Sequence, residues 1–502
     1  MLKSNRNLPV NLFTAEQVRE LDRLAIEDHA IPGYSLMQRA ARYSYDVLKQ
    51  HWPDANTIAV VCGSGNNAGD GYVLAKLAIE DGKQVSVINM FNTKNLKADA
   101  ATAYQDLTTT NISPQKFSTS IFDGVDVIVD ALFGTGLDRD IEGQCCDLIN
   151  LINTSDCPTI SIDIPSGINA DTGSMMNIAV SADVTATFIG LKQGMFTSDG
   201  LAASGDIKFN DLDVPAEVYQ QMKLHSDNEV ACRLILNDLS RVLKPRQRNS
   251  HKGHFGHVLV VGGDEGYLGA ARMAAEAAAR VGAGLVSVAT RSSHASLLST
   301  VRPEIMSHGV ETLDDLMPLI KRATVIAIGP GLGKSEWAKL LFARVLELKL
   351  PIVIDADALN LLAEEEQASS SWVITPHPGE AARLLNLDTK SIQQDRFNAL
   401  GLLHEKFQGP VVLKGCGTLI ADTKGEFFIC DAGNPGMSSG GMGDVLTGVI
   451  AGLIAQGIEI NHATKLGVCL HAIAADRATI GGERGLLAMD LMPHLRNLVN
   501  LK

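Results

Sequence analysis

Two kinds of hydrophobic pattern alternate along the chain. Short runs rich in Val, Ile, Leu and Ala, several of them uninterrupted, occur at residues 57–61, 85–88, 127–130 and 159–163, and again at 257–261, 284–289, 324–328, 351–355, 372–374 and 410–413. Continuous short runs are expected of strands buried on both faces of a sheet. Helical spacing fills the gaps. Thr14 followed by Gln17 has the form of a capping box, opening a helix with Val18, Leu21, Leu24 and Ala25 on one face. A helix is predicted from about Tyr72, and another, of small side chains, over residues 266–281. Leu446, Val449, Ile450, Leu453 and Ile454 fall at the spacing of one amphipathic helix face. Residues 418–421 and 426–430 read as a late hairpin across a charged turn. The alternation of strand and helix predicts an α/β protein with largely parallel, helix-flanked sheets. The pattern fades over residues 216–232, which are polar and helix-prone, and the chain is expected to divide there into domains 1–222 and 223–502.

The length of 502 residues also calls for two or three cores. With 45% hydrophobic and 20% charged residues the composition is that of a soluble globular protein. The net charge of -14 argues against nonspecific binding to nucleic acid or an anionic membrane, though not against an anionic substrate held by a local loop. No apolar run reaches the ~18 residues of a membrane span, and MLKSNRNLPVNLF lacks the apolar core of a signal peptide. The eight cysteines form no CxxC pair and no zinc-like spacing with histidine, so free thiols in a reducing cytoplasm are expected.

The chemistry concentrates where runs end. Asn434-Pro435-Gly436-Met437-Ser438-Ser439-Gly440-Gly441-Met442-Gly443-Asp444 is a bare glycine-rich loop running into a helix N-terminus. Such an end has unpaired N–H groups and partial positive charge, which suit a phosphate. A carboxylate beside a bound phosphate is unfavourable unless it works, for instance by taking a proton from an attacking hydroxyl; the alternative is an Asp that caps the helix. No GxxxxGK[ST] sequence occurs, so any phosphate site is not of Walker type. In the first half, strand 57–61 runs into Cys62-Gly63-Ser64-Gly65-Asn66-Asn67-Ala68-Gly69-Asp70-Gly71, the first turn of a Rossmann-like unit without the usual GxGxxG spacing. Asn67, Asp130, Asp163 and Ser166 all fall at strand tips of one sheet. Their oxygens, without Cys or His, suit a hard cation rather than zinc. The basic run 244–254 is either a solvated segment or the edge of a nucleotide site.

GSGNNAGDGY, DALFGTGLDRDIEG and SIDIPSGINADTG, over roughly 12–215, resemble the N-terminal domain of the NAD(P)H-hydrate epimerases, a Rossmann-like three-layer αβα domain. The resemblance implies that Asn66, Asn67, Ala68, Gly69 and Asp70, with Gly134, Thr135, Gly136, Leu137, Asp138, Arg139 and Asp140, bind a hydrated nicotinamide dinucleotide. It puts a substrate-contacting acid at Asp163 and potassium (K+) ligands at Asn67, Asp130 and Ser166. Asp163, with Asp70 behind it, is the candidate acid/base for interconverting R and S hydrates at C6. The family loop more often has glycine where this chain has Ala68, a difference that matters if the position needs positive φ.

GPGLG, DADALN, TPHPGE, KGCGT and NPGMSSGGMGD, in that order over roughly 235–498, resemble the ADP-dependent NAD(P)H-hydrate dehydratases of the ribokinase-like superfamily. The resemblance implies a ribokinase-like αβα domain with Asp444 as catalytic base. It assigns ADP to Lys414, Gly415, Cys416, Gly417 and Thr418, and to Asn434, Pro435, Gly436, Met437, Ser438, Ser439, Gly440, Gly441, Met442 and Gly443. It assigns the hydrate to Ala270, Gly331, His377, Pro378, Gly379, Glu380, Ala381, Ala382, Arg383 and Asp444. Mg2+ is implied with ADP as co-substrate, although no carboxylate cage is evident. The partners implied are hydrated NADH or NADPH and ADP, and a symmetric homo-oligomer is expected of such an enzyme. Two other readings stand beside this one. The second half could be a ribokinase-like small-molecule kinase using ATP. The first half could be a non-catalytic nucleotide-binding or protein-binding module.

Overall fold

The computed structural model describes residues 8–225, 230–365 and 367–500. The start of the segment read for a leader (1–7) and part of the expected join (226–229) lie outside the described residues. The chain forms two compact units, Met1–Cys232 and Arg233–Lys502.

Strands of the first unit are β1 Asn11–Phe13, β2 Thr57–Cys62, β3 Gln84–Asn89, β4 Val127–Ala131, β5 Thr159–Ile162, β6 Val184–Phe188, β7 Leu191–Lys192 and β8 Asp206–Asn210. Six of them stand parallel in the order β3-β2-β4-β5-β6-β8. The continuous apolar runs are explained by burial on both faces. Ile58 and Val60 of β2 enter one core with Val127 and Val129 of β4, while Ala59 and Val61 enter another with Ile128. β1, too short to show a pattern, pairs in parallel with β7. Ala231 and Cys232, inside the stretch expected to be helix-prone, belong instead to β9 (Ala231–Arg233), and the helix before it ends at His225. Sheet order reverses beside β2, between β3 and β4, so the loops after β2 and β4 flank a crevice at the strands' C-terminal ends.

The capping box of the first helix is formed. Thr14 Oγ1 accepts from the Gln17 N–H at 3.2 Å, and the Thr14 N–H donates to Gln17 Oε1 at 2.9 Å. The helix expected from Tyr72 begins earlier, at Asn66, and runs to Glu80. Asn66 to Gly71 are therefore its first turns rather than a free loop. Ala68 is fully buried there and is not among the residues with positive φ, so its methyl is accommodated without backbone strain.

The second unit contains β10 His257–Val261, β11 Leu285–Thr290, β12 Met306–Gly309, β13 Val325–Ile328, β14 Ile352–Ile354, β15 Trp372–Ile374, β16 Val411–Leu413, β17 Thr418–Ala421 and β18 Phe427–Cys430. The first seven are parallel, in the order β12-β11-β10-β13-β14-β15-β16; β17 and β18 follow as the antiparallel hairpin. The order reverses beside β10, between β11 and β13, again placing a crevice at the strand ends.

Helix Met442–Ala455 is not the amphipathic surface helix its stripe implies. Val445, Thr447 and Ala451, off the stripe, are as buried as Val449 and Ile450. It packs on helix Leu268–Arg280, whose small residues make the approach close. A methyl on Gly448 would meet the Ala274 carbonyl oxygen. Gly448→Ala is therefore expected to cost about 1–3 kcal/mol through overpacking, read as a lower unfolding temperature.

Candidate functional site

In the second unit the chain positions a cation between carboxylates. Asp355 follows β14 directly and is 1% exposed. Its carboxylate accepts from Lys414 Nζ at 2.7 Å and from Thr447 Oγ1 at 2.7 Å. Burial alone would raise the Asp355 pKa, but the Lys414 charge and the hydrogen bonds from Lys414, Thr447 and Thr375 hold it below the usual range. Lys414, just past β16, also lies 3.7 Å from Glu380 Oε2. Burial disfavours the Lys414 charge, but Asp355 and Glu380 outweigh it and keep the ammonium protonated.

Asp444 lies over this group, at the third position of helix Met442–Ala455. The helix is capped by Gly441, and no described residue hydrogen-bonds the Asp444 side chain, so the capping alternative does not hold. Burial first, and then the Asp355 charge, push the Asp444 carboxyl up to about 7, with Lys414 opposing. A methyl on Gly443 would come within 3.3 Å of Lys414 Nζ, so the loop backbone passes directly above the ammonium. Gly441 has φ +92, and a side chain there would also meet Met273 Sδ at 2.5 Å. The loop thus has two reasons to be bare. Ser439 Oγ is buried with no hydrogen-bond partner among the described residues.

The other predicted residues gather at the same strand ends. Gly331 abuts Ala270; a methyl on Gly331 would lie 3.2 Å from the Ala270 Cβ. His377 is more than a rigid loop residue. Its Nδ1 accepts from the Gly379 and Glu380 N–H groups at 3.0 and 3.3 Å, capping helix Pro378–Leu385, which carries Gly379 to Arg383. Nδ1 is thereby an acceptor, which leaves Nε2 as the protonated nitrogen of the neutral ring. Gly415, Cys416 and Gly417 form the turn into β17, whose first residue is Thr418. Asn434 Oδ1 accepts from the Gly436 N–H at 3.1 Å, and its Nδ2 donates to Asp476 at 2.9 Å.

Arg396, Thr447 and Asp476 were not legible as site residues. Arg396 is 1% exposed and donates to the carbonyls of Cys416 at 2.9 Å and Leu413 at 3.1 Å, clamping the turn after β16. The basic run 244–254 does not edge this site. Arg246 donates to the Gly282 carbonyl and to Gln456, each just past the C-terminal end of its helix, at the other end of the sheet from Asp444.

In the first unit Asp163 follows β5 with φ +70 and accepts from Lys192 Nζ. Lys192, 1% exposed, is fixed further by Thr187 Oγ1 at 3.0 Å and the Phe188 carbonyl at 3.2 Å. Burial, then the charges of Asp163 and Asp22, push the Asp70 carboxyl well up. Asp22 is itself pushed up to about 6, chiefly by burial. A methyl on Gly134 would lie 3.3 Å from Asp163 Oδ2 and 3.4 Å from Asn67 Cβ, so the loops after β2, β4 and β5 meet at one point. Thr135, Gly136, Leu137 and Asp138 line an adjacent cavity of about 210 Å³ with Arg19 and Asp171. Lys192 and Asp22 were missed; the only signal is a lysine between glycines in Gly190-Leu191-Lys192-Gln193-Gly194.

The surroundings of the predicted cation ligands suit that role. Both amide atoms of Asn67 are buried without a partner among the described residues. Asp130, fully buried inside β4 rather than at its tip, accepts from Ser166 Oγ at 2.6 Å, the Ser166 N–H at 2.9 Å and Ser161 Oγ at 2.8 Å. An orphan amide oxygen, a buried carboxylate and a hydroxyl at the C-terminal ends of neighbouring strands make an all-oxygen set of the kind a hard cation takes. In the second unit Asp355, Asp357 and Glu380 are engaged by Lys414 and by backbone N–H groups, and no group of three or more His, Cys, Asp or Glu among the described residues could hold a metal. These residues do not form a Mg2+ cage of the chain's own.

Residues 258–497 match the family model described as NAD(P)H-hydrate dehydratase, and residues 33–194 match the one described as YjeF-related protein N-terminus. A bifunctional NAD(P)H-hydrate repair enzyme of Coxiella burnetii is 48% identical over 97% of this chain and 99% of its own length. The chain belongs to the family of bifunctional NAD(P)H-hydrate repair enzymes. The member from Escherichia coli is 40% identical over 100% of this chain and 96% of its own. A solved ribokinase-like superfamily protein from Enterococcus faecalis, 32% identical, covers 53% of this chain and 94% of its own with a TM-score of 0.50, in keeping with the ribokinase-like fold of the second unit. No helix among the described residues is long and apolar enough to cross a membrane.

Within such a repair enzyme the Arg396 clamp makes a specific prediction. Arg396→Leu removes the donor to the Leu413 and Cys416 carbonyls, at about 1–3 kcal/mol for each one orphaned. The turn from Lys414 to Thr418 should loosen. The expected result is a raised KM for the nucleotide co-substrate with a smaller change in kcat, measured by steady-state kinetics alongside a thermal melt.

Proposed function

We propose that this chain restores damaged NADH and NADPH in two steps, epimerising the C6 hydrates in an N-terminal domain (1–222) and dehydrating the S hydrate with ADP in a C-terminal one (223–502). The observation that carries the reading is Asp444, an uncapped carboxylate raised to about 7 at a helix N-terminus beside the Lys414 ammonium. A base works best when its pKa lies near the operating pH.

Asp444 takes the proton of the C6 hydroxyl as that oxygen attacks the β-phosphorus of ADP. The bond between the β-phosphorus and the bridging oxygen breaks, and AMP leaves. The N–H groups of Gly441, Met442 and Gly443 receive the transferring phosphoryl group, with Lys414 beneath adding positive charge. Phosphate is a far better leaving group than hydroxide. The ring nitrogen's lone pair expels it, a proton leaves C5, and the C5–C6 double bond of the dihydronicotinamide returns. The balance is hydrate plus ADP giving NAD(P)H, AMP, phosphate and a proton. Lys414 to Thr418 and Asn434 to Gly443 hold ADP; Ala270, Gly331 and His377 to Arg383 hold the hydrate. Mg2+ would arrive on the ADP phosphates, whose charge it neutralises.

In the first unit Asp70, kept protonated by burial and neighbouring carboxylates, supplies a donor. Asp163, paired with Lys192, supplies an acceptor on the same small volume. A pair with opposite proton states is what exchange at C6 requires. Asn67, Asp130 and Ser166 would hold K+, which would supply a positive charge beside an anionic dinucleotide. The enzyme is proposed to be cytoplasmic and homo-oligomeric.

The test is recovery of reduced-nicotinamide absorbance from a mixed R and S hydrate preparation, started with ADP and Mg2+. Recovery beyond the S share is expected. A stop at the S share removes the epimerase reading and makes the first unit a binding module. No recovery with ADP or ATP removes the dehydratase reading in favour of a small-molecule kinase.

A further inference from the structure

The second unit carries a concentration of positive charge that the reaction does not use. A cleft of about 430 Å³ is lined by Arg272, Arg280, Arg302 and Arg496. This stands out in a chain of net charge -14. One carboxylate, Glu276, lines the cleft with the four arginines. It is 3% exposed and accepts from Arg302 Nε at 2.6 Å and from Arg280 at 3.4 Å. That leaves Arg272 and Arg496 uncompensated among the residues lining the cleft. Arg272 Nε is buried with no hydrogen-bond partner among the described residues, which is costly for a charged group unless something else completes it.

Arginine in clusters matches the paired oxygens of phosphates by bidentate hydrogen bonds. The cleft is larger than one phosphate requires and falls in the range of small-molecule sites. Met489 and Met492 add an apolar, polarizable wall on which a flat ring can lie. The cleft also stands directly behind the phosphate loop. A methyl on Gly441 would meet Met273 Sδ at 2.5 Å and Ala488 Cβ at 3.2 Å, and the chain neighbours of those two residues, Arg272 and Met489, line the cleft. Whatever orders Arg272 and Met489 therefore bears on the residues that shape the loop at Gly441.

We propose that this cleft is a second nucleotide site, binding the phosphates of a nucleoside di- or triphosphate on Arg272 and Arg496 and acting as an effector site for the phosphate loop. It is distinct from the ADP site assigned to residues 414–418 and 434–443.

The test uses the full chain and its Arg272→Gln/Arg496→Gln variant, each titrated calorimetrically with ADP and, separately, ATP. The parent is expected to bind two nucleotides per chain and the variant one, or the second at least tenfold more weakly. Neither residue belongs to the machinery at Asp444, so basal dehydration at limiting ADP is retained and shows that the variant is folded. Equal stoichiometry and affinity in parent and variant would overturn the site. The effector role predicts an ADP saturation curve that departs from a hyperbola in the parent and is hyperbolic in the variant; identical curves would overturn it.

Discussion

Asp444→Asn is expected to lower dehydratase turnover by about 10²–10⁴-fold, the contribution of a positioned general base, while epimerase activity is unchanged. The substitution keeps shape and removes basicity. It also removes a negative charge from beside the phosphate loop, so ADP should bind at least as tightly as before. That combination of lost kcat and retained or improved ADP affinity separates loss of a base from loss of a binding group. The pH dependence gives a second reading. Only the ionised carboxylate accepts a proton, and burial with the Asp355 charge holds the Asp444 pKa at about 7. Activity of the parent should therefore fall about tenfold per pH unit below that point, and this acid limb should be absent from the residual activity of the variant. Steady-state kinetics with S hydrate across pH measures both. A variant retaining full turnover would remove Asp444 from the chemistry.

What could be read from sequence follows a physical division. β10 and β15 fall at residues 257–261 and 372–374 as expected, because strands buried on both faces leave uninterrupted apolar runs, and β17 falls at 418–421 as expected from the hairpin pattern around a charged turn. β6 was missed because its Val184-Thr185-Ala186-Thr187-Phe188 mixes threonine with apolar residues, although every position is buried. Glycine loops were legible because a bare backbone at a strand end has few other uses. The residues that tune them were not. Lys192 reaches Asp163 across 29 residues of sequence, Lys414 reaches Asp355 across 59 and Thr447 reaches Asp355 across 92, and no local spacing records such pairings. The misplaced start of the helix at Asn66 has a similar origin. Asn66-Asn67-Ala68-Gly69-Asp70-Gly71 looks like a turn by propensity, yet tertiary contact fixes it as helix, where a side chain on Gly71 would meet Ala131 Cβ at 2.7 Å.

Lys192→Met is expected to abolish measurable epimerisation while leaving the dehydratase intact on S hydrate, and also to destabilise the first unit. Its ammonium is 1% exposed and is the group seated on the Asp163 carboxylate, which is 18% exposed. Removing one partner of such a pair leaves a charge without its counter-ion, at a cost near the lower end of about 3–5 kcal/mol because Asp163 keeps some access to water. Stability and catalysis should then part in the double variant. In Lys192→Met/Asp163→Asn no unpaired charge remains, so much of the lost stability should return, whereas epimerisation should not. Asp163→Asn alone should also be inactive, with the Lys192 charge left unpaired. A thermal melt of the four proteins, read as a double-mutant cycle, gives the coupling between the two groups. R-hydrate conversion, measured with the dehydratase as reporter, gives the catalytic half. Full epimerase activity in Lys192→Met would show that Asp163 works without its partner and reduce the pair to a structural brace. Inactivity of Asp163→Asn in a folded protein that keeps Lys192 would place the acceptor function on Asp163 itself, which sits at φ +70 facing that lysine.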